Sequence, residues 1–479
     1  VTVNGDLGRI DAGDATTTTP GLAALAVRSM GVASAGQTST IVGKLGGLTV
    51  KSDFTRTLIN VTGGADGTIG NILIGGSVVG VGSGVVSGIK TSGAMGNLTI
   101  KGSLYGGQTA NVGNIISGTS MGNVFVGGSI FGGQGSKTGI IESGTTMGNV
   151  TVKGSVVGGN SDQTGNIHAM SSMGNVFIGG DILAGDAALA NSGFIYSNGG
   201  ANSSIGAVKI MGSLVGGDGA FSGSLYSNGT IKSVTVKGHL QGGSGSQSGN
   251  IEARGDIGPV KISGNATGGA GSYSGSIFTF SGGNVASITI GGSLTGLSSF
   301  DGITVTGQLG PVKIGGDVRG DTPQHVRITA AGIPDSTVPA IKSLSVGRSV
   351  ENAEIRAGYD ALAFNPVNAD ASIGAVTVGG NWMASNLIAG AAPGGDGVFG
   401  SDDDVKITEA VTDSIFAKIA SLTIKGYALG SFGGTDRFGV VAEDIGKIKV
   451  GGATYTLAAG TDTTGLLLGP TGDFRVREV

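Results

Sequence analysis

The chain alternates apolar and polar positions in short bursts. Val124-Phe125-Val126, Val150-Thr151-Val152, Val176-Phe177-Ile178, Val208-Lys209-Ile210 and Val234-Thr235-Val236 are apolar at every second position, the two-residue period of a strand with one buried face. After a Gly/Ser turn comes a second apolar position, at Leu104, Ile130, Val156, Ile182, Leu214 and Leu240. A third lies six residues before the next unit, at Ile89, Ile115, Ile141, Ile167, Leu225 and Ile251. Glycine and serine interrupt every window before a helical face accumulates, so each segment reads as a short strand.

The bursts belong to a repeat. MGNLTIKGSLYGG begins at Met95, MGNVFVGGSIFGG at Met121, MGNVTVKGSVVGG at Met147 and MGNVFIGGDILAG at Met173, each 26 residues after the last. Units anchored on the apolar residue before the first strand begin at Leu45, Ile69, those four methionines, Ile205, Ile231, Ile257, Val285, Leu309, Ile341, Ile373, Ile419 and Ile445. With a partial copy at 1–7 they make sixteen. The expected fold is all-β: a right-handed parallel β-helix solenoid of about 16 coils, about 26 residues and three short strands each. Equivalent residues would stack about 4.8 Å apart, a rod of roughly 75 Å. Stacking predicts Val/Ile/Leu ladders inside and a methionine column at one corner. Asn97, Asn123, Asn149 and Asn175 would form an amide ladder in which each side chain bonds the copies above and below. The Gly pairs 106–107, 132–133 and 158–159 would turn corners at positive φ. One solenoid would span 1–459, with insertions at about 8–40, 183–204 and 386–418, and 460–479 would be a tail ending in a closing strand. Within the first insertion, 20–30 reads as a short helix that covers the end of the coil.

Composition narrows the class. Glycine is 99 of 479 residues, but without a three-residue period and with 9 Pro it is not collagen. Charge is sparse, 13 % with a net of −4, which argues against a nucleic-acid partner. Mean hydropathy is +0.25, yet no run of 18 apolar residues spans a membrane. The absence of cysteine removes disulfides and thiolate sites. Val1 falls inside a unit, so the reading expects a processed or truncated N-terminus.

Catalytic chemistry is thin. Glycoside hydrolysis needs carboxyls about 5–9.5 Å apart. Glu142 and Glu252 share a column but stand four coils apart, and Asp181 and Asp317 stand five apart. Lys101, Lys153, Lys209, Lys237, Lys261 and Lys313 read as solvated-face residues. His168, His239 and His325 read as surface imidazoles, and the single Trp382 as packing beneath the nearby insertion. The GGxGxxSG phrases at 132, 216, 242 and 268 lack the Lys-Ser/Thr of a phosphate loop and the regular Asp of a calcium roll, and read as corners. The metal candidate is a calcium loop at Asp396, Asp402, Asp403 and Asp404, four carboxylates in nine residues around Gly turns.

Two surfaces invite partners. Val79, Tyr105, Phe131, Val157, Leu183 and Val215 follow the inward residue of the second segment and form an outward apolar stripe. Val1 and Val3 in the first strand, and Val476 in the last, would make end-to-end contacts through bare strand edges. Such a contact is heterologous and builds a filament. The phrases IGAVTVGGNWMASNLIAG (373–390), GGDGVFGSDDD (394–404) and the closing DFRVREV resemble large secreted glycine-rich β-strand-repeat proteins of bacterial cell surfaces. The resemblance implies export, a surface or matrix role and a calcium loop at 394–404. It brings no catalytic residue. The expected function is therefore an extracellular structural protein, not an enzyme, whose copies assemble head to tail into a filament or surface layer. The alternatives are a monomeric surface adhesin or stalk that binds cell-surface polysaccharide through the insertions, and a polysaccharide-degrading β-helix enzyme.

Overall fold

The computed structural model describes residues 1–479 except 34–35, 82–86, 186–189, 299–300, 323, 361–363, 409–414, 432–435 and 458–464. Parts of the three expected insertions and the start of the tail lie outside the described residues. The chain forms two compact units: 1–238 with 242–251, and 239–241 with 252–479. Each is a β-solenoid with three parallel strand segments per turn, and the chain makes about 16 turns of about 26 residues.

In the first unit the apolar columns stack in register. Ile72, Leu98, Val124, Val150, Val176 and Val208 pair across successive first segments. Val78, Leu104, Ile130, Val156, Ile182 and Leu214 do so across second segments. Ile59, Ile89, Ile115, Ile141, Ile167, Ile195 and Leu225 do so across third segments, which form a separate sheet. All are buried, and each contributes about 1.5–3 kcal/mol by leaving water. Met95, Met121, Met147 and Met173 bridge one another as a buried corner column.

Polar residues stitch the turns, though not as an amide ladder would. The Asn97 side-chain oxygen accepts from the backbone N–H of Asn123 at 2.9 Å, and Asn123 and Asn149 accept likewise from Asn149 and Asn175. The bonds run from side chain to backbone because the corner backbone has no strand partner of its own there, and an unpaired N–H is costly. A second column does the same at the next corner. Asp53, Ser77, Ser103, Ser129, Ser155 and Asp181 each accept from the N–H one turn on, the last from Ser213 at 2.6 Å.

The paired glycines are required for a different reason from the one expected. Residues 106–107, 132–133 and 158–159 do not have positive φ. That conformation falls on Gly113, Gly139 and Gly165 and, two residues earlier, on Asn111, Lys137 and Gln163. A Cβ on Gly133 would lie 2.1 Å from the Gly107 carbonyl oxygen. The pairs are glycine because neighbouring turns touch backbone to backbone.

The helix expected at 20–30 is absent. Leu25–Met30 is a strand, paired with Thr2–Leu7 on one side and with Leu45–Val50 on the other. Its Ala-rich sequence favours a helix locally, but its alternating apolar residues fill a slot between two strands, and burial overrides propensity. Gln37–Val42 is the third segment of the same turn, paired with Thr57–Thr62. Leu25–Met30 and the start of Gln37–Val42 therefore make part of 8–40 solenoid rather than a covering insertion.

The second unit repeats the plan. Its inward columns are Val260, Ile288, Val312, Leu344, Val376, Leu422 and Ile448; Ala266, Leu294, Val318, Val350, Trp382 and Ala428; and Ile277, Ile303, Ile328, Ile355, Leu387, Val440 and Val476. Trp382 is thus inside a turn, not beneath the insertion. Its neighbour Ala428 gives up the volume it takes, and its Nε1 donates to the Ser385 carbonyl at 2.9 Å. Corner acceptors recur at His239, Asn265, Ser293, Asp317, Ser349 and Asn381. At the last turn the pattern changes: Ala453–Tyr455 pairs antiparallel with Asp444–Val450, and Leu466–Leu467 with Phe474–Glu478. Val476, expected at an end contact, is a core residue with Leu466 paired beyond it.

Candidate functional site

Three places gather outward side chains. The first is the stripe. Val79, Tyr105, Phe131, Val157, Leu183 and Val215 are directly paired on six successive second segments of the first unit. Tyr105 is 39 % exposed and the others are half-buried by one another. The Tyr105 and Phe131 rings stack at 5.1 Å. Beside them the outward column of the first segments reads Leu73, Thr99, Phe125, Thr151, Phe177, Lys209. Lys101 and Lys153 stand at the bend between the columns, and the Lys153 Nζ lies 5.4 Å over the Phe177 ring.

The second place is the outer face of the third-segment sheet in the same unit, where Lys90, Ile116, Glu142, His168, Tyr196 and Tyr226 follow one another. His168 is buried, which corrects the surface imidazole expected. It stacks on Tyr196 at 3.8 Å, and Phe194 stacks on the other ring at 4.5 Å. Its Nδ1 lies 4.0 Å from the Glu142 carboxylate, and the imidazole holds that carboxyl below its ordinary range. Burial pushes the Tyr196 phenol up. A cleft of about 230 Å³ opens around Leu58, Ser87, Lys90, Asn111, Asn114 and Ile116.

The third place, in the second unit, was not legible as a cluster. Arg327 and Glu354 are paired on adjacent third segments, with Nε to Oε2 at 2.9 Å, and Arg356 lies 2.5 Å from the other oxygen of Glu354. Burial would raise the Glu354 pKa, but the two guanidiniums outweigh it and hold the carboxyl below its ordinary value. Arg356 sits 5.1 Å from the Tyr359 ring and 5.4 Å from the Phe399 ring. Residues 391–407 form a roof here, pinned by a two-stranded hairpin of Ala391–Ala392 with Val405–Lys406. Beneath it Tyr359, Ala369, Ile388, Ala391, Phe399, Ile407 and Val441 make a small second core. The readable signal was the alignment of HVRITA on NAEIRA, which puts charges on the outward side of two adjacent strands.

The four aspartates of the roof have separate partners. Asp402 is exposed and pairs with Arg475 at 2.6 Å and with Arg477 at 3.6 Å. Asp403 accepts from the Ser401 hydroxyl, which lowers its pKa, and from the Asp396 N–H at 3.1 Å. Asp404 is buried, and its Oδ2 accepts from the Gly400 N–H at 2.8 Å while Oδ1 has no partner. Burial pushes its carboxyl up to about 7. Among the described residues, no three Asp, Glu or His side chains group as a metal site.

The remaining candidates serve the turns. Asp181 and Asp317 are corner acceptors, as is His239, whose Nδ1 accepts from the Asn265 N–H at 3.0 Å. Glu252 is buried in the second unit. Lys101, Lys153, Lys209, Lys237, Lys261 and Lys313 are exposed. The corner phrases end on hydroxyls that cap glycine N–H groups, Thr138 on Gly133 and Ser222 on Gly217 among them. The step of Ser/Thr-Gly dipeptides at 138, 164, 192, 222, 248 and 274 carried that signal in the sequence. In comparisons with known proteins, the chain matches no family model, no curated protein and no solved structure.

Proposed function

We propose that this protein is an extracellular structural scaffold of a bacterial surface or matrix, built from β-solenoid turns and assembled in many copies into a filament or layer. The observation that carries this reading is the corner column of acceptors. In each unit a Ser, Asp, Asn or His stands at the same corner of successive turns, and its side chain ties down the backbone of the next. Polar residues spent turn after turn on stitching, at about 1 kcal/mol per bond, suit a load-bearing element. Negative-stain microscopy of concentrated protein tests it: filaments or sheets are expected, and a field of single dispersed particles alone overturns assembly.

A carbohydrate-binding adhesin is the second reading. It is favoured by the cleft at Lys90, where an exposed ammonium and the Asn111 amide border an apolar floor of Leu58 and Ile116. A glycan array with retained binding of acidic saccharides supports it. A calcium ion on the 396–404 loop is a separate proposal, supported by the buried, unpartnered Oδ1 of Asp404.

A further inference from the structure

We propose that the outward face at 73–215 in the first unit is a contact between two copies of this chain, packed about a two-fold axis that lies across the turns and between two of them. This rests on the scaffold reading and specifies one of its contacts. The first argument is pitch. The face presents side chains at the solenoid's own spacing of about 4.8 Å over six turns. A second copy offers partner positions at that same spacing along the whole length, so no side chain falls out of step.

The second argument is a two-turn alternation. Thr99, Phe125, Thr151 and Phe177 alternate small and large, and Lys101, Gly127, Lys153 and Gly179 alternate charged and bare, in the same four turns. Copies in register would set Phe against Phe and Lys against Lys. An axis between the turns of Phe131 and Val157, the middle of the stripe, sets each of these four turns opposite one of the other kind. Phe125 then meets Thr151, Lys101 meets Gly179, Gly127 meets Lys153, Phe131 meets Val157, and Tyr105 meets Leu183. Bulk fills hollows, and the lysines are staggered by one turn instead of directly opposed.

The third argument is area. Six turns, and the five strand residues on either side of the bend (Val124–Val126 and Ile130–Phe131) at about 3.3 Å each, give a face on the order of 500 Å², at the lower end of specific contacts. The contact is isologous and self-complementary.

Sedimentation of the full chain over a range of concentrations, beside microscopy, tests the contact. Wild type is expected to associate reversibly, and Phe131→Glu and Val157→Glu, both outward and compatible with the fold, to weaken association about tenfold or more. Tyr427→Glu, an exposed aromatic in the second unit, should leave it unchanged. Because the chain has no cysteine, Phe131→Cys and Val157→Cys can be mixed, and they should cross-link with each other faster than with themselves. Equal cross-linking, or association unaffected by both Glu variants, overturns the contact. If those variants still form wild-type filaments, the contact falls and the scaffold reading stands. If wild type shows neither association nor filaments, both fall.

Discussion

At the residue scale, the glycines and the corner acceptors show how close the turns lie. Gly133 and Gly139 are near in sequence but glycine for different reasons. Gly139 needs φ of +66° and also has the Phe131 carbonyl oxygen 2.3 Å from where its Cβ would be, whereas Gly133 is glycine for contact alone, with the Gly107 carbonyl oxygen at 2.1 Å. Gly133→Ala forces two turns apart and should cost about 1–3 kcal/mol. Gly139→Ala adds the strain of a positive φ, about 1 kcal/mol more, and is read as the larger fall in the urea midpoint. Asp301 gives a pH dependence. It takes the corner position that hydroxyls hold elsewhere and accepts from the N–H groups of Leu297 and Ser298 and from the Ser298 hydroxyl. Burial nevertheless raises its pKa from 3.8 to about 6. The native state therefore holds a proton that the unfolded chain releases between pH 4 and 6. Its contribution is complete below pH 4 and is lost as pH rises through 6, on the order of a few kcal/mol. Wild type should lose stability relative to Asp301→Asn across that window in denaturant titrations. Parallel pH profiles would contradict the assignment.

At the element scale, the roof at 391–407 departs from the repeat in the second unit, and it is held by two kinds of force. The Phe399 and Tyr359 rings and Ile407 supply apolar contact over Ile388 and Val441, and Arg475 and Arg477 hold Asp402 and the Ser401 carbonyl. The Lys406 Nζ adds an ion pair with Glu443 at 2.6 Å. If calcium occupies the 396–404 loop, millimolar calcium should protect this segment from limited proteolysis, chelator should remove the protection, and Asp404→Asn should abolish the difference. A cleavage rate indifferent to calcium and chelator ends the calcium proposal. The roof then stands as a structural lid over Arg356.

At the scale of the whole molecule, each turn in a unit contacts chiefly its neighbours, so stability accumulates turn by turn. With charge so sparse, the placement of the few charges matters. The lysines on the first unit's outer face stand every second turn, and in the second unit Arg319 and Glu351 pair at 3.4 Å on the corresponding second segments. The continuous apolar stripe thus belongs to one unit only. Side-by-side association through that unit would leave the other free for further contacts, an arrangement suited to a layer.

The sequence by itself determined the repeat, the three segments per turn and nearly every inward residue, because a buried column stacked at a fixed spacing admits only a few side chains and repeats them every 26 residues. It also placed the outward stripe, since strand alternation gives each side chain its face. It could not settle 20–30, where local helix propensity and a slot between two strands pull in opposite directions, and the slot prevails. Nor could it tell a glycine held by contact alone from one that also needs a positive φ, or a surface histidine from His168 stacked on Tyr196. Those distinctions depend on what lies one turn away. The register of HVRITA on NAEIRA brings Arg327, Glu354 and Arg356 together, but the roof over them was decided by tertiary structure alone, because it meets them through an insertion that obeys no period.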